Sequence, residues 1–236
     1  AIGAVEQVRS EHSTIRRALV LAPSQNLLAN FRNELADKCT PGTYHPEDME
    51  SLTARKVLGR TNKKIGEFYE FETFAIMAAK LRAMGDDTIR ETYSNYFIII
   101  DEAHDIRTPE GKTGEDVESL EEVEDKENKD FGETVYTQIS RLVHGVSNFK
   151  LIILTGTPMK DNISEIAAIM NLLLPVSQAL PIGNAFVETF FRPTGSDEGS
   201  TQPRLEPIPE KIGELKAAFR GRVSFLREIR SSVKVE

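Results

Sequence analysis

Positions 96 to 105 read Tyr-Phe-Ile-Ile-Ile-Asp-Glu-Ala-His-Asp: an unbroken apolar run that passes directly into two carboxylates and a histidine. Continuous apolar character over five positions, without alternation, is the mark of a strand covered on both faces, as in a parallel sheet between helices. Two further runs have the same form, Arg-Ala-Leu-Val-Leu-Ala-Pro at 17 to 23 and Lys-Leu-Ile-Ile-Leu-Thr-Gly at 150 to 156. Helical spacing lies between them. Asn26 to Lys38 repeats Leu27, Leu28, Phe31 and Leu35, and Phe71 to Met84 repeats Phe74, Met77, Ala78 and Leu81. Strands alternating with helices predict an α/β fold, a doubly wound parallel sheet covered by helices on both faces, with ligands at the carboxyl ends of the strands. All three runs end there in chemically loaded residues: Ala-Pro-Ser, Asp-Glu-Ala-His and Thr-Gly-Thr-Pro.

The 236 residues are 39% apolar, enough to bury a core, and Cys39 stands alone. That excludes an internal disulfide framework, and no Cys/His set has the spacing of a structural zinc site. No apolar run reaches about eighteen residues, and the N-terminal stretch lacks the order of a signal peptide, so a soluble, intracellular protein with no membrane partner is expected. The sequon Asn162-Ile163-Ser164 is accordingly read as unglycosylated. Asn162 instead looks like a helix N-cap, with Glu165 at capping-box spacing and Ile166, Ile169, Met170 and Leu173 as the apolar face. The net charge of -8 is local: positions 101 to 134 hold 14 acidic and 4 basic residues, and the rest is near neutral. Thr108 to Asp130 therefore reads as an exposed acidic loop or insertion. Positions 192 to 209 read as a second loop, and Lys211 to Arg230 as a mostly basic helix.

An acid pair at the end of a buried strand suits a nucleotide hydrolase. The first carboxylate is held rigidly toward a nucleotide-bound Mg²⁺, and the second can orient the attacking water. On these residues the chain resembles the superfamily 2 helicases and translocases. Asp101-Glu102-Ala103-His104 is similar to their motif II, the DEAH form of Walker B, and Leu154-Thr155-Gly156-Thr157-Pro158 to motif III. Leu19-Val20-Leu21-Ala22-Pro23-Ser24 is similar to motif Ia, and Phe71-Glu72-Thr73-Phe74 to a motif that follows it. Thr-Gly-Thr-Pro-Met-Lys-Asp-Asn-Ile-Ser-Glu-Ile, then Met-Asn-Leu-Leu and Gly-Arg-Val-Ser-Phe-Leu-Arg at 221 to 227, most resemble helicase-like ATPases of large cytoplasmic DNA viruses, of the poxvirus nucleoside triphosphatase I and early transcription factor small subunit type. These are related to Snf2-type translocases.

The resemblance implies a RecA-like first motor lobe over residues 1 to 190, and a loop and basic helical connector over 191 to 236 toward a second lobe. It implies ATP and Mg²⁺ as cofactors, with Asp101 holding the metal through water and Glu102 as general base. His104 would couple this centre to motif III through the hydroxyls of Thr155 and Thr157, with Gly156 between them in the nucleotide site. Pro23, Ser24, Gln25 and Thr73 fall where the family contacts the phosphate backbone, DNA more than RNA. Ser24 also suits a helix N-cap. A viral transcription ATPase, partnered by transcription machinery and placed in host cytoplasm or virion, is the implied setting.

No phosphate-binding loop G-x-x-x-x-G-K-[ST] occurs in the sequence. Gly111-Lys112-Thr113 imitates its end, but the position five before Gly111 is Ile106, and no buried strand precedes it. The stretch Ala1 to Val8 looks like the helix that such a loop opens, which places the loop upstream of Ala1. The chain is thus expected to be a piece of a larger motor, inactive alone. Two alternatives remain open: a non-hydrolysing RecA-like interaction module, and the motor part of a restriction or chromatin-remodelling enzyme.

Overall fold

The computed structural model describes residues 1–11, 14–106, 126–159, 162–194 and 204–225, with the side chains of 126–134 excepted. Four strands form one parallel sheet: β1 (Arg17–Ala22), β2 (Tyr69–Thr73), β3 (Tyr96–Ile100) and β4 (Lys150–Ile153), in the order β2-β1-β3-β4. β1 and β3 are interior strands, and Leu19, Val20, Leu21 and all of β3 are buried. On one face lie α1 (Ile2–Glu11), α2 (Gln25–Asn33) and α3 (Ala54–Gly66), packed on Ala18, Val20, Phe97 and Ile99. On the other lie α4 (Phe74–Arg82), α5 (Asp86–Tyr93) and α6 (Lys126–Gly145), packed on Leu19, Leu21, Ile98 and Ile100. Alternate residues of the same strands thus feed two separate cores, the reason such strands read as continuous apolar runs. This is the doubly wound, RecA-like α/β arrangement expected from the sequence.

A third core cluster joins α7 (Glu165–Asn171) and α8 (Asn184–Phe190) through Phe186 and Phe190 to α9 (Pro209–Phe219). Between them β5 (Phe191–Pro193) and β6 (Leu205–Pro207) pair antiparallel. The expected loop at 192 to 209 is therefore partly a hairpin. α9 ends at Phe219 rather than Arg230 and carries Glu210 and Glu214 beside Lys211 and Lys216, so it is not mainly basic. The acidic stretch from Thr108, with Gly111-Lys112-Thr113, lies outside the described residues as far as 125; its last positions belong to α6, not to a loop.

Other boundaries also differ from expectation. Phe71 belongs to strand β2 and the following helix starts at Phe74, because Tyr-Glu-Phe-Glu-Thr alternates at an edge where one row of side chains is only partly covered. α2 passes at Glu34 into a π-helical turn through Cys39. Asn162 does not cap α7 as a capping box. Its Oδ1 accepts the Ser164 N–H at 3.0 Å, and Ser164 occupies the cap position without a side-chain cap bond. The Asx turn wins because it gives the side chain a partner before the helix begins.

At the amino ends of the neighbouring strands β3 and β4, Ser94-Asn95-Tyr96 and Ser147-Asn148-Phe149 are matched turns. Both Asn residues have positive φ, 63° and 48°, and Asn148 Nδ2 donates to Asn95 Oδ1 at 2.6 Å. Asn tolerates this region better than most residues, which fits its use twice.

α1 is fastened by polar contacts. Glu6 Oε1 accepts the hydroxyls of Tyr44 at 2.7 Å and Tyr69 at 2.5 Å, while Arg9 donates to the Tyr44 oxygen and stacks over Phe68. Burial, and then the Glu6 carboxylate, push both phenols well above their usual range. Glu6→Ala strands two hydroxyls of tyrosines that are each 2% exposed. A loss of about 3 kcal/mol in urea unfolding is expected, against about 1 kcal/mol for Glu6→Gln, which keeps an acceptor.

Candidate functional site

The carboxyl ends of three strands are locked together by main-chain bonds that continue the ladder beyond the strands. The Asp101 N–H donates to the Leu21 carbonyl at 2.8 Å, the Leu154 N–H to Ile100 at 2.8 Å, and the Ala103 N–H to Leu154 at 3.0 Å. Asp101 and Glu102 thus leave β3 between the ends of β1 and β4. Glu102 adopts the left-handed conformation, φ 53° and ψ 49°. This turn sends successive residues of the acid pair in different directions, at the cost of strain for a side chain that has no local reason for it. The Glu102 N–H also donates to Asp101 Oδ1 at 3.1 Å.

Asp101 is the perturbed group. Burial first, and then the charge on Glu102, raise its carboxyl above the ordinary range, against the Glu102 N–H bond and the Ala1 amino group. Among the described residues no Lys or Arg side chain is paired with Asp101, and a carboxylate so placed suits a hard divalent ion with oxygen ligands. Among the described residues no group of three or more His, Cys, Asp or Glu could enclose a metal. Such an ion would take only one or two carboxylates here, the usual condition of Mg²⁺ bound with nucleotide phosphates.

His104 is the bridge. Its Nδ1 lies 3.0 Å from Thr155 Oγ1 and 3.3 Å from Glu102 Oε2, and its Nε2 lies 3.7 Å from Asp105 Oδ1. Protonated at Nδ1, the ring donates toward Thr155 and Glu102 together, fixing the turn after β3 to the loop after β4. Thr157 enters through its backbone, its N–H donating to Thr155 Oγ1 at 3.3 Å, and both Gly156 and Thr157 are exposed. Thr155 and His104 are thus brought into direct contact, and Thr157 joins them one bond further out. Asp105 is a neighbour of His104 that the sequence pattern did not single out; its adjacency to the motif was the available signal.

Pro23, Ser24, Gln25 and Thr73 lie at the ends of β1 and β2, where Ala22 and Thr73 are register partners. The Ser24 hydroxyl accepts the Leu27 N–H and caps α2, as its sequence position also suggested; the Thr73 hydroxyl accepts the Ile76 N–H and caps α4, both at 3.4 Å. Thr73 is 8% exposed, so it presents the start of α4 more than its own side chain. Gln25 is exposed and Pro23 partly so. Two helices consequently begin side by side next to the acid pair. Among the described residues, no helix is long and apolar enough to cross a membrane.

No protein-family profile matches the chain. Individual relatives do. A frog virus 3 (isolate Goorha) protein with a provisional helicase name is 28% identical over 227 residues, 96% of this chain and 20% of the relative. A protein of invertebrate iridescent virus 3, also provisionally named a helicase, is 33% identical over 165 residues, 69% of this chain and 15% of the relative. One of Acanthamoeba polyphaga mimivirus, provisionally named an ATP-dependent RNA helicase, is 27% identical over 190 residues, 74% of this chain and 27% of the relative. The similarity is thus to helicase-like proteins of large DNA viruses, and the chain spans 15% to 27% of the length of these three.

Two stability measurements check the site geometry. Glu102→Gly should unfold at higher urea than Glu102→Ala, by about 1 kcal/mol, because glycine takes positive φ without penalty. Asp101→Asn should melt above wild type at neutral pH. The sign follows from the raised native pKa: folding favours the protonated acid, so wild-type stability falls as pH rises through the window above 3.8. The advantage of Asn should vanish at more acidic pH.

Proposed function

We propose that the chain is the first motor lobe of a nucleic-acid-dependent ATPase, a helicase or double-stranded DNA translocase of a large DNA virus with a role in transcription. The observation that carries the reading is one cluster in which an acid pair on a buried strand, a histidine and the Thr155 hydroxyl of the next strand meet. Residues 1 to 190 are assigned to the lobe and 191 to 236 to a connector toward a second RecA-like lobe. The names of the viral relatives support the class.

Each residue then has a task. Asp101 would hold the nucleotide's Mg²⁺ through water, and the cation would offset the unfavourable burial of the carboxylate's charge. Glu102, strained out of the strand direction, accepts a proton from the attacking water or orients it. When bound, Mg²⁺ and ATP supply charge neutralisation and the phosphoryl group to be transferred. His104 carries changes at Glu102 to Thr155, and the Thr155-Gly156-Thr157 turn passes them toward the neighbouring strand ends. There Pro23, Ser24, Gln25 and Thr73 offer two helix starts to a phosphate backbone, which positions a strand without reading its bases. DNA is favoured over RNA because the motif pattern is closest to DNA-directed viral ATPases, although the mimivirus relative has an RNA-helicase name.

The test is turnover in the parent protein. Glu102→Gln is expected to reduce nucleic-acid-stimulated ATP hydrolysis by about 10³-fold or more while ATP binding persists, as for loss of a water-orienting group. Unchanged turnover contradicts the role given to Glu102.

A further inference from the structure

We propose that the outward face of α3 is a second nucleic-acid contact, on the flank of the lobe, that docks closely against a phosphodiester backbone; the inference rests on the nucleic-acid reading above. α3 spans Ala54–Gly66 with Arg55, Lys56, Arg60, Lys63 and Lys64 and no acidic residue, in a chain of net charge -8. Its buried residues, Thr61 and Ile65, fix the inward side. At 100° per residue Arg55, Lys56, Arg60 and Lys63 fall on the opposite half of the helix, and Lys64 lies at the edge of the inward half. Arg60 is held by both oxygens of Asp48 at 2.8 Å, and Lys64 by the His45 carbonyl at 3.0 Å. Arg55, Lys56 and Lys63 are exposed and make no hydrogen bond or ion pair with the described residues.

Gly59 is the second observation. It stands within this cationic half, between Lys56 and Lys63, and a Cβ added there meets nothing within 4 Å. Internal packing therefore gives no reason for a residue that weakens a helix interior, whereas close approach of a ligand does. The chemistry favours a polyanion with regularly spaced charges. A 13-residue helix is about 20 Å long, a length over which duplex DNA carries roughly twelve phosphates. Along one edge of this face Arg60, Lys63 and Lys64 share an open groove of about 550 Å³ with Glu47, Asp48 and Glu67, so Arg55 and Lys56 are the cations of α3 that lie outside it. α3 packs on the sheet face of β1 and β2 through Ile65, and its cations are not among the residues at the strand ends.

The experiment is equilibrium binding of the full chain to a 30-base-pair duplex across a salt series, with Arg55→Ala/Lys56→Ala/Lys63→Ala and, separately, Gly59→Leu. Three lost phosphate contacts should lower the slope of log affinity against log salt by about 2.7, from about 0.9 per cation, with affinity at 0.1 M salt down by more than about tenfold. Gly59→Leu should leave the melting temperature unchanged or raised and still weaken binding. Wild-type affinity and slope in the triple variant, or wild-type affinity in Gly59→Leu, overturns close docking on α3 while leaving the strand-end reading intact. Failure of the wild-type chain to bind the duplex overturns both.

Discussion

The site depends on a main-chain ladder that does not stop where the strands do. Asp101 and Ala103 donate to carbonyls of β1 and of the residue after β4, so the turn carrying the acid pair is clamped from both sides. Side-chain positions then follow from backbone positions. With β3 buried throughout, these bonds form in a water-poor setting, where an unmade bond is expensive and a made one is rigid. The left-handed turn at Glu102 is tolerated because the clamp over-determines it. His104 reaches Thr155 for the same reason: its own residue is anchored one step after an anchored neighbour.

A cost is visible in the same place. Asp101 is held where burial and its neighbour both oppose ionisation. A buried carboxylate that resists its own charge suits a cation as partner and is less suited to maximum stability. The fold compensates elsewhere, through two cores fed by alternate residues of the same strands and through the Glu6, Tyr44 and Tyr69 contacts that hold α1 in place.

Much of this was legible in the sequence, and the reason is physical. Parallel strands covered by helices carry continuous apolar runs, so β1 at 17 to 22, β3 at 96 to 100 and even the edge strand β4 at 150 to 153 announced themselves, with their loaded ends. β2 was missed as a strand because it is an edge: Tyr-Glu-Phe-Glu-Thr alternates, and its last residues merge with the periodicity of α4. The hairpin of β5 and β6 joins residues across positions rich in Gly, Ser and Pro, where local pattern carries no pairing information. Within the site, residue types pointed to Asp101 and Glu102 and the resemblance to helicase motifs pointed to His104 and Thr155, but neither gave the conformation of Glu102 or the proximity of Asp105. Those depend on the register of three strands. Ser24 shows that one residue can satisfy two readings, since its hydroxyl caps α2 at the place where a backbone contact was expected.

The central claim is that the His104–Thr155 contact couples the acid pair to the nucleic-acid face. It is tested most directly by a double-mutant cycle on the parent protein, with His104→Ala and Thr155→Ala, comparing ATP turnover with and without nucleic acid. The account predicts that each single variant loses most of the nucleic-acid stimulation, and that the double variant is little worse than either, because the residues act as one unit. Independent, additive losses, or full stimulation in both single variants, would contradict it.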